Sequence, residues 1–259
     1  TYRKAIAALS AKGSGRKADT VRVTIPEGRS RREIAPIAER AGLRGSYLEA
    51  SERFGGALNP FRYGAPKGTR SLEGFLFPAT YELDAGARAR ELVERQLAAF
   101  RTNFGDVDLR RARRRNLTGY DVLIIASMVE REAQVARERP IIAAVIYNRL
   151  KDGMPLGIDA TLRYALNKWS GALKESELES TSPYNTRKRA GLPPTPIGNP
   201  GMASIRAAAK PADVDYRYFV VKPGTCGEHA FSVRYEKFLA DSRRYDSERE
   251  RLGRSPVRC

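Results

Sequence analysis

Apolar and polar residues recur along this chain with the two periods that distinguish strands from helices. Strict alternation over Val21–Ile25 predicts a strand. A capping-box pattern formed by Ser30 and Glu33 opens a predicted helix that Gly42 ends. Apolar residues at helical spacing predict a longer helix over 86–104. These patterns therefore predict a strand followed by helices in the first part of the chain.

The remainder of the chain continues this mixture. The aromatic stretch 73–83 predicts one or two short strands. Thr118 caps a predicted helix that runs to about Arg139, and Pro140 suits the first turn of the next, which ends near Leu150. Further predictions are short helices at 160–168, 174–180 and 201–210, a hairpin pairing 216–221 with 229–233, and a charged helix from Tyr235. Segregated helices and short strands indicate an α+β fold.

Composition limits the kinds of partner and active site that the chain can have. The chain has 259 residues, a formal net charge of +17, two cysteines and one histidine. The charge favours anionic partners, although arginine on solvated faces explains it equally well. A Cys-rich zinc site is excluded, and a Ser-His-Asp or Cys-His scheme would need His229. The 33 residues between Cys226 and Cys259 permit a disulfide but do not require one.

One carboxylate breaks the pattern of the helix that begins at Thr118. At about 100° per residue, Glu132 falls in the middle of the apolar arc, whereas Glu130 falls on the polar side. Burial raises the pKa of a carboxyl group and can keep it protonated near neutral pH, as a general acid requires. A buried carboxylate paired with an arginine would give the same pattern. Periodicity alone leaves both interpretations of Glu132 open.

Sequence motifs around this helix resemble those of a known family. The segment Ala126–Glu132 reads ASMVERE, and Glu73–Pro78 reads EGFLFP. Further motifs follow in order at 145–150, 153–156, 182–186, 191–201, 207–211, 218–220 and 227–231. Together they resemble the YceG-like family of endolytic murein transglycosylases over about residues 21–240. One departure is Gly157, where the family usually has glutamine.

The resemblance implies a domain organisation and a location. It implies a YceG-like catalytic domain over 21–259, with a strand and helix part at 21–115 on the substrate side and a catalytic part at 116–259. Residues 1–20 are similar to the end of a small LysM-like module. The family also implies a single membrane-spanning helix before Thr1, a catalytic domain outside the cytoplasmic membrane, and association with peptidoglycan synthases.

The resemblance also implies a reaction. Glu132 matches the family's catalytic glutamate, which cuts the β-1,4 bond between N-acetylmuramic acid and N-acetylglucosamine and leaves a 1,6-anhydromuramoyl end. Such cleavage of nascent peptidoglycan would terminate glycan strand elongation. No metal or organic cofactor is expected.

Seven further residues are candidate substrate contacts, each with a structural alternative. For Glu73 the alternative is a strand-end salt bridge, and for Asp159 and Asn199 it is a helix cap. For Tyr184, Asn185 and Thr186 the alternative is a turn without substrate contact, and a lone histidine such as His229 is often structural.

Three rival functions remain open at this stage. A muramidase would use water in place of the sugar hydroxyl, and its product would have a reducing end. A nucleic-acid-binding module would explain the charge, but no recognised motif is present and we expect no nucleic-acid partner. A non-catalytic cell-wall scaffold would use Glu132 only as a buried ion pair.

Overall fold

The structure, a computed structural model, describes residues 19–52 and 58–257. The predicted LysM-like remnant at 1–20 lies almost entirely outside these residues. Strand β1 (Thr20–Thr24) pairs antiparallel with β2 (Thr80–Asp84), and β3 (Tyr218–Val221) pairs antiparallel with β4 (His229–Ser232). Each pair is a separate two-stranded sheet. The predicted α+β class and the predicted hairpin are confirmed.

The helices follow the predicted order. They are α1 (Arg31–Arg40), α2 (Tyr47–Ala50), α3 (Ala89–Gly105), α4 (Arg110–Arg113), α5 (Gly119–Glu132), α6 (Arg139–Lys151), α7 (Asp159–Leu166), α8 (Glu175–Leu178), α9 (Met202–Ala209) and α10 (Tyr235–Leu252). Short 3₁₀ turns occupy Pro60–Tyr63 and Ala136–Glu138. The capping box of α1 forms as predicted, because Ser30 and Glu33 satisfy each other's backbone N–H groups.

Helix α5 is the centre of the fold. It packs against α6, α7 and α9, and every residue from Gly119 to Val129 is buried except Asp121. The buried core cluster joins residues from both parts of the predicted domain, for example Val23 and Phe100 with Ile125 and Ile205. The division at residue 115 therefore stays a prediction.

Helix α5 ends at Glu132, so its predicted extension to Arg139 is wrong. Ala133 adopts φ −78° and ψ 106°, which leaves the helical region. No glycine or proline marks this break; instead the following segment is held by the β3–β4 hairpin. Gln134 fills the space beside Gly227, and the Glu138 carboxylate accepts the backbone N–H of His229 at 3.0 Å. Tertiary contacts thus end the helix.

In the aromatic stretch after Ser71, only the last part, β2, is a strand. The first part is a turn, which Asn199 holds through hydrogen bonds. The Asn199 side-chain oxygen accepts the N–H groups of Gly74 and Leu76 at 2.9 Å each, and its amide donates to Glu73 at 2.8 Å. Gly74 has φ +89°, and a Cβ there would lie 2.5 Å from Pro196. Asn199 is not a helix cap, since α9 begins at Met202 with Gly201 before it.

Helix α10 packs against the β3–β4 hairpin. The Gly224 N–H at the hairpin turn donates to the Pro256 carbonyl at 2.9 Å, which ties the segment after α10 to the turn. Cys226 in the same turn is disulfide-bonded. Cys259 lies outside the described residues. Within the described ranges, no helix has the length and apolar character needed to cross a bilayer.

Candidate active site

A groove of about 1000 Å³ opens where the end of α5 meets α7, the hairpin and α10. Glu132 lies in this groove, together with two other residues from the predicted site, Asp159 and His229. Its remaining walls are formed by Arg149, Met154, Pro155, Leu156, Gly157, Arg187, Tyr218, Phe219, Val220, Val221, Tyr235, Phe238, Ser242, Tyr245, Asp246 and Arg249. The end of α5 therefore presents its last carboxylate to an open cleft.

Burial raises the pKa of Glu132 to about 7, and the neighbouring negative charge of Asp159 adds to this rise. A hydrogen bond from the Ala160 backbone and the positive charge of Arg163 act in the opposite direction. No basic side chain of the described residues forms an ion pair with Glu132. The carboxyl group is only partly exposed, and near neutral pH it can both give and take a proton.

The two charged residues that precede Glu132 bind other parts of the protein and do not line the groove. Glu130, placed on a polar face by the helical pattern, has a buried side chain that accepts the Gly201 N–H at 2.9 Å and lies 3.5 Å from Arg139. Arg131 binds Glu33 and stacks 3.6 Å from the centre of the Trp169 ring. Both residues connect α5 to its neighbours, which leaves Glu132 as the helix's carboxylate toward the groove.

Asp159 is the first residue of α7 and not its N-cap, because Ile158 occupies the cap position. The Asp159 carboxylate binds the Arg187 guanidinium at 2.7 Å, and both side chains line the groove. This ion pair is half exposed, so it contributes little to stability. Its position beside Glu132 makes it an electrostatic neighbour of the reacting group.

His229 is held by a residue that the sequence did not single out. Its ring Nδ1 lies 2.7 Å from Glu138 Oε2, and both side chains are buried. If Nδ1 carries the proton, the carboxylate fixes the ring and leaves Nε2 as its second polar atom. Glu138 lies in the segment mistaken for a continuous helix, so the helical pattern gave no reason to notice it.

The other candidate contacts lie outside the groove and have partners within the protein. The Asn185 amide donates to the carbonyls of Leu178 and Ser180, and the buried Thr186 hydroxyl accepts the Ile158 N–H at 3.0 Å. Tyr184 exchanges a hydrogen bond with Thr195 at 2.8 Å. These contacts shape the loop behind α7, and a role in substrate binding stays a prediction.

Glu73 belongs to the buried network around Asn199. It accepts hydrogen bonds from the Arg31 backbone N–H, the Tyr164 hydroxyl at 3.1 Å and the Asn199 amide. Burial raises its pKa to about 7 even though these donors favour the charged form. Glu73 does not line the groove, so its contact with substrate also stays a prediction, whereas its contact with Tyr164 supports α7.

Gly157 replaces the glutamine usual in the family, and its backbone explains why glycine fits here. Its φ is +62°, and a Cβ would lie 3.1 Å from the Arg149 guanidinium. Arg149 in turn donates to the carbonyls of Leu156 and Arg217, at 2.6 and 2.5 Å. A glutamine in this conformation would strain the backbone and crowd Arg149.

A metal centre finds no support in the part of the chain that the structure describes, where no three His, Cys, Asp or Glu side chains cluster suitably. The groove carries carboxylates, an imidazole, guanidinium groups and aromatic rings. These groups are suited to proton transfer and to hydrogen bonding with a polar ligand.

Comparison with known sequences fits this arrangement. The profile of the YceG-like family matches residues 1–244, which includes Glu132 and most of the groove. The chain belongs to the YceG-like family. The fold agrees: a crystal structure of a YceG-like protein from Listeria monocytogenes is similar, with a TM-score of 0.72 at 29% identity, over 85% of this chain and 75% of that one.

Two of the similar proteins carry a functional name. The endolytic murein transglycosylase of Bacillus subtilis is 38% identical over 161 residues, or 62% of this chain and 44% of the relative. The endolytic murein transglycosylase of Streptococcus pneumoniae is 35% identical over 154 residues, or 58% of this chain and 28% of the relative. This YceG-like chain thus spans less than half the length of either relative.

Proposed function

We propose that this YceG-like chain is the catalytic part of an endolytic murein transglycosylase, a lyase that cuts peptidoglycan glycan strands. The observation that carries the proposal is Glu132, whose pKa is raised to about 7, at the end of a buried helix and in an open groove. The names of the two relatives support the substrate class. Tertiary contacts fix the end of α5, and this supports one acid/base group that is held in a constant position.

The proposed reaction uses Glu132 twice. Its protonated carboxyl group gives a proton to the glycosidic oxygen, and the bond from C1 of the muramoyl residue to that oxygen breaks. The C6 hydroxyl of the same residue then bonds to C1 and returns its proton to Glu132. Atoms and charge balance without water, and the products are a free N-acetylglucosamine end and a 1,6-anhydromuramoyl end. The 2-acetamido group is suited to stabilise the positive charge at C1.

His229 and Asp159 have supporting roles in this proposal. Nε2 of His229, held through Nδ1 by Glu138, offers a hydrogen bond to the sugar. Asp159 raises the pKa of Glu132, which favours its acid form at the start of the cycle. Asp159 also gives a hydrolase a second carboxylate in the same groove, so a water-using muramidase is the second candidate.

Mass spectrometry of digested glycan strands tests the proposal. The wild-type chain should produce anhydromuramoyl ends, lighter than reducing ends by one water. Glu132→Gln should reduce the rate by about 10²- to 10⁴-fold, the range of general acid–base catalysis. Glu130→Gln is the matched control, because Glu130 lies two residues away and outside the groove.

Each outcome of this experiment separates the candidates. Reducing ends in place of anhydro ends would identify a muramidase. Equal cleavage by wild type and Glu132→Gln would contradict the role of Glu132. Absence of cleavage by the folded wild-type chain, checked by circular dichroism, would contradict the proposal that this part of the protein carries the activity.

We further propose that the whole protein is membrane-anchored, that its catalytic domain faces the extracytoplasmic side, and that it acts beside peptidoglycan synthases. The family resemblance motivates this proposal. Fractionation of cells expressing the full-length protein, followed by protease treatment of spheroplasts, would test the location. Digestion only after lysis would contradict an extracytoplasmic domain.

A further inference from the structure

The groove extends well beyond the surroundings of Glu132. Its volume of about 1000 Å³ lies at the upper end of ordinary ligand pockets, which span roughly 300 to 1,000 Å³. The far part is lined by residues of α10, which are Tyr235, Phe238, Ser242, Tyr245, Asp246 and Arg249. Their spacing places them along one face of the helix. The groove can therefore hold more of a ligand than the reacting bond.

Aromatic rings form the floor of this far part. The Tyr218 ring lies 5.3 Å from Phe238 and 5.5 Å from Tyr235, between ring centres. Packing of α10 on the hairpin accounts for Tyr218 and Phe238. It does not account for Tyr235, which lines the groove yet remains 51% exposed. Aromatic surface that the fold leaves open in a groove is typical of a binding site.

Polar groups lie beside these rings. The Arg149 guanidinium lies 5.3 Å from the centre of the Tyr218 ring and also donates to the backbone carbonyls of Leu156 and Arg217. Arg249 lies 3.9 Å from Asp246 in a half-exposed pair further along α10. Flat rings that stack on pyranose faces, next to groups that bind hydroxyls, amides and carboxylates, suit an anionic glycan.

The last turns of α10 lie beyond the family match. The YceG-like profile ends at residue 244, inside α10, so Tyr245, Asp246 and Arg249 lie beyond it. The helix is nevertheless held in place, because it packs on β3 and β4 and the segment after it returns to the hairpin through the Pro256 carbonyl. The far wall is thus a fixed feature of this chain.

We propose that the groove face of α10 is an additional glycan-binding subsite, which holds sugar units of the same strand at a distance from the cleaved bond. The inference rests on the proposed function for its substrate class. It follows from the continuity of the groove between Glu132 and α10 and from the aromatic rings and guanidinium groups along it, of which the Tyr235 ring is exposed. The subsite makes the chain prefer long strands over short ones.

Binding to glycans of two lengths tests the subsite. In a Glu132→Gln background, in which turnover is expected to be slow, the Kd is measured for peptidoglycan strands many disaccharides long and for a tetrasaccharide. Tyr245→Ala combined with Arg249→Ala should weaken binding of the long strands by about tenfold and leave the tetrasaccharide unchanged. Tyr245→Phe, which keeps the ring, should bind long strands like the parent.

The matched control is Arg251→Ala. Arg251 lies on the same helix, pairs with Glu248 and does not line the groove, so its loss removes the same charge without touching the subsite. Unchanged binding of long strands by the Tyr245 and Arg249 variant would overturn the inference. Equal weakening for both glycan lengths would also overturn it, because the residues would then act at the reacting centre.

This test is independent of the proposed reaction. If the wild type cleaves glycans but the α10 substitutions do not change long-strand binding, the proposed reaction is supported and the proposed subsite is contradicted. If the wild type cleaves nothing but long-strand binding depends on α10, the reaction fails and the subsite stands.

Discussion

The acid strength of Glu132 depends on three neighbours that belong to one short helix. Asp159, Ala160 and Arg163 all come from α7, and they act on the carboxyl group in opposite directions. Burial contributes the largest effect and raises the pKa. The carboxyl group with the raised pKa thus belongs to α5, while the neighbours that adjust this pKa belong to α7.

Opposite substitutions on α7 should move the pH dependence of cleavage in opposite directions. Glu132 must be protonated to start the reaction, so kcat/KM should fall as pH rises through about 7. Asp159→Asn removes a negative neighbour and should move this fall to lower pH. Arg163→Gln removes a positive neighbour and should move it to higher pH. Shifts in the same direction would contradict the electrostatic explanation.

The raised pKa of Glu132 also affects stability. The folded protein holds this proton up to about pH 7, whereas an unfolded glutamate loses it near pH 4.5, so stability falls as pH rises between these values. Glu132→Gln should remove this loss and raise the free energy of unfolding at pH 8 by on the order of 1–3 kcal/mol, with little change at pH 4. Urea denaturation at both pH values measures the difference.

The control for this measurement is Glu236→Gln, an exposed position at the start of α10. It should change the free energy of unfolding by less than about 0.5 kcal/mol at either pH. Equal effects of the two variants would show that loss of any carboxylate, and not of Glu132 in particular, is responsible.

Sequence reasoning went furthest for single residues with a strong local pattern. The helical period alone marked Glu132, because a carboxylate in an apolar arc needs an explanation. The same period misjudged Glu130, whose polar face is covered by Gly201 and Arg139 from distant segments. Glu138 was missed because its partner His229 is 91 residues away. Contacts of this kind leave no local signal.

Among the elements, α7 connects the groove to the buried polar network. Its first turn faces Glu132, and its Tyr164 binds Glu73, which Asn199 and Arg31 hold from the other side. The position of α7, and with it the electrostatics of the groove, therefore depends on residues outside the groove. Glu73 and Asn199, which belong to the family motifs, therefore support the fold through these contacts.

Asn199 should be among the most sensitive positions in the fold. Asn199→Ala leaves the buried N–H groups of Gly74 and Leu76 without acceptors and removes a donor from Glu73. Each unpaired buried group costs about 1–3 kcal/mol, so a loss of roughly 3–5 kcal/mol in the free energy of unfolding is expected. Urea denaturation measures it.

Thr102→Ala is the comparison, since the exposed Thr102 hydroxyl also binds a backbone carbonyl, that of Ala98 at 3.2 Å. Its replacement should change stability by less than about 0.5 kcal/mol. A similarly small change in Asn199→Ala would mean that water replaces the lost hydrogen bonds.

Most element boundaries followed from local rules, because caps and periodicity act within a few residues. Ser30 and Thr118 both accept the backbone N–H that their patterns predicted. The end of α5 and the turn at Gly74 did not follow, because the hairpin and Asn199 impose them from far along the chain. Local signals are overridden where a distant segment supplies the better partner.

For the whole molecule, the charge of +17 favours approach of an anionic polymer. The net charge follows from the sequence, but its distribution over the surface does not. The pairing of β1 with β2, whose register joins Thr20 to Asp84, could not be predicted from the sequence either. The groove itself draws on α5, α7, the hairpin and α10, so no single stretch of sequence outlines it.

The charge predicts a salt effect on binding and not on chemistry. KM for peptidoglycan with its acidic peptide stems should rise several-fold as ionic strength increases from about 0.01 to 0.15 M, because the screening length falls from about 30 to 8 Å. kcat should stay constant. An uncharged chitin oligosaccharide serves as the control ligand, and its binding should not respond. A KM independent of salt would indicate that the excess arginine lies away from the approach path.

The distance along the chain between the two sides of the groove has a consequence for biosynthesis. Tyr235, the first residue of α10, follows Glu132 by 103 residues. A ribosome makes the buried scaffold and its acid well before the hairpin and α10 exist, and folding during synthesis starts from the N-terminal side. A nascent or prematurely terminated chain therefore carries Glu132 without the wall that faces it. The groove is therefore complete only late in synthesis, after α10 has been made.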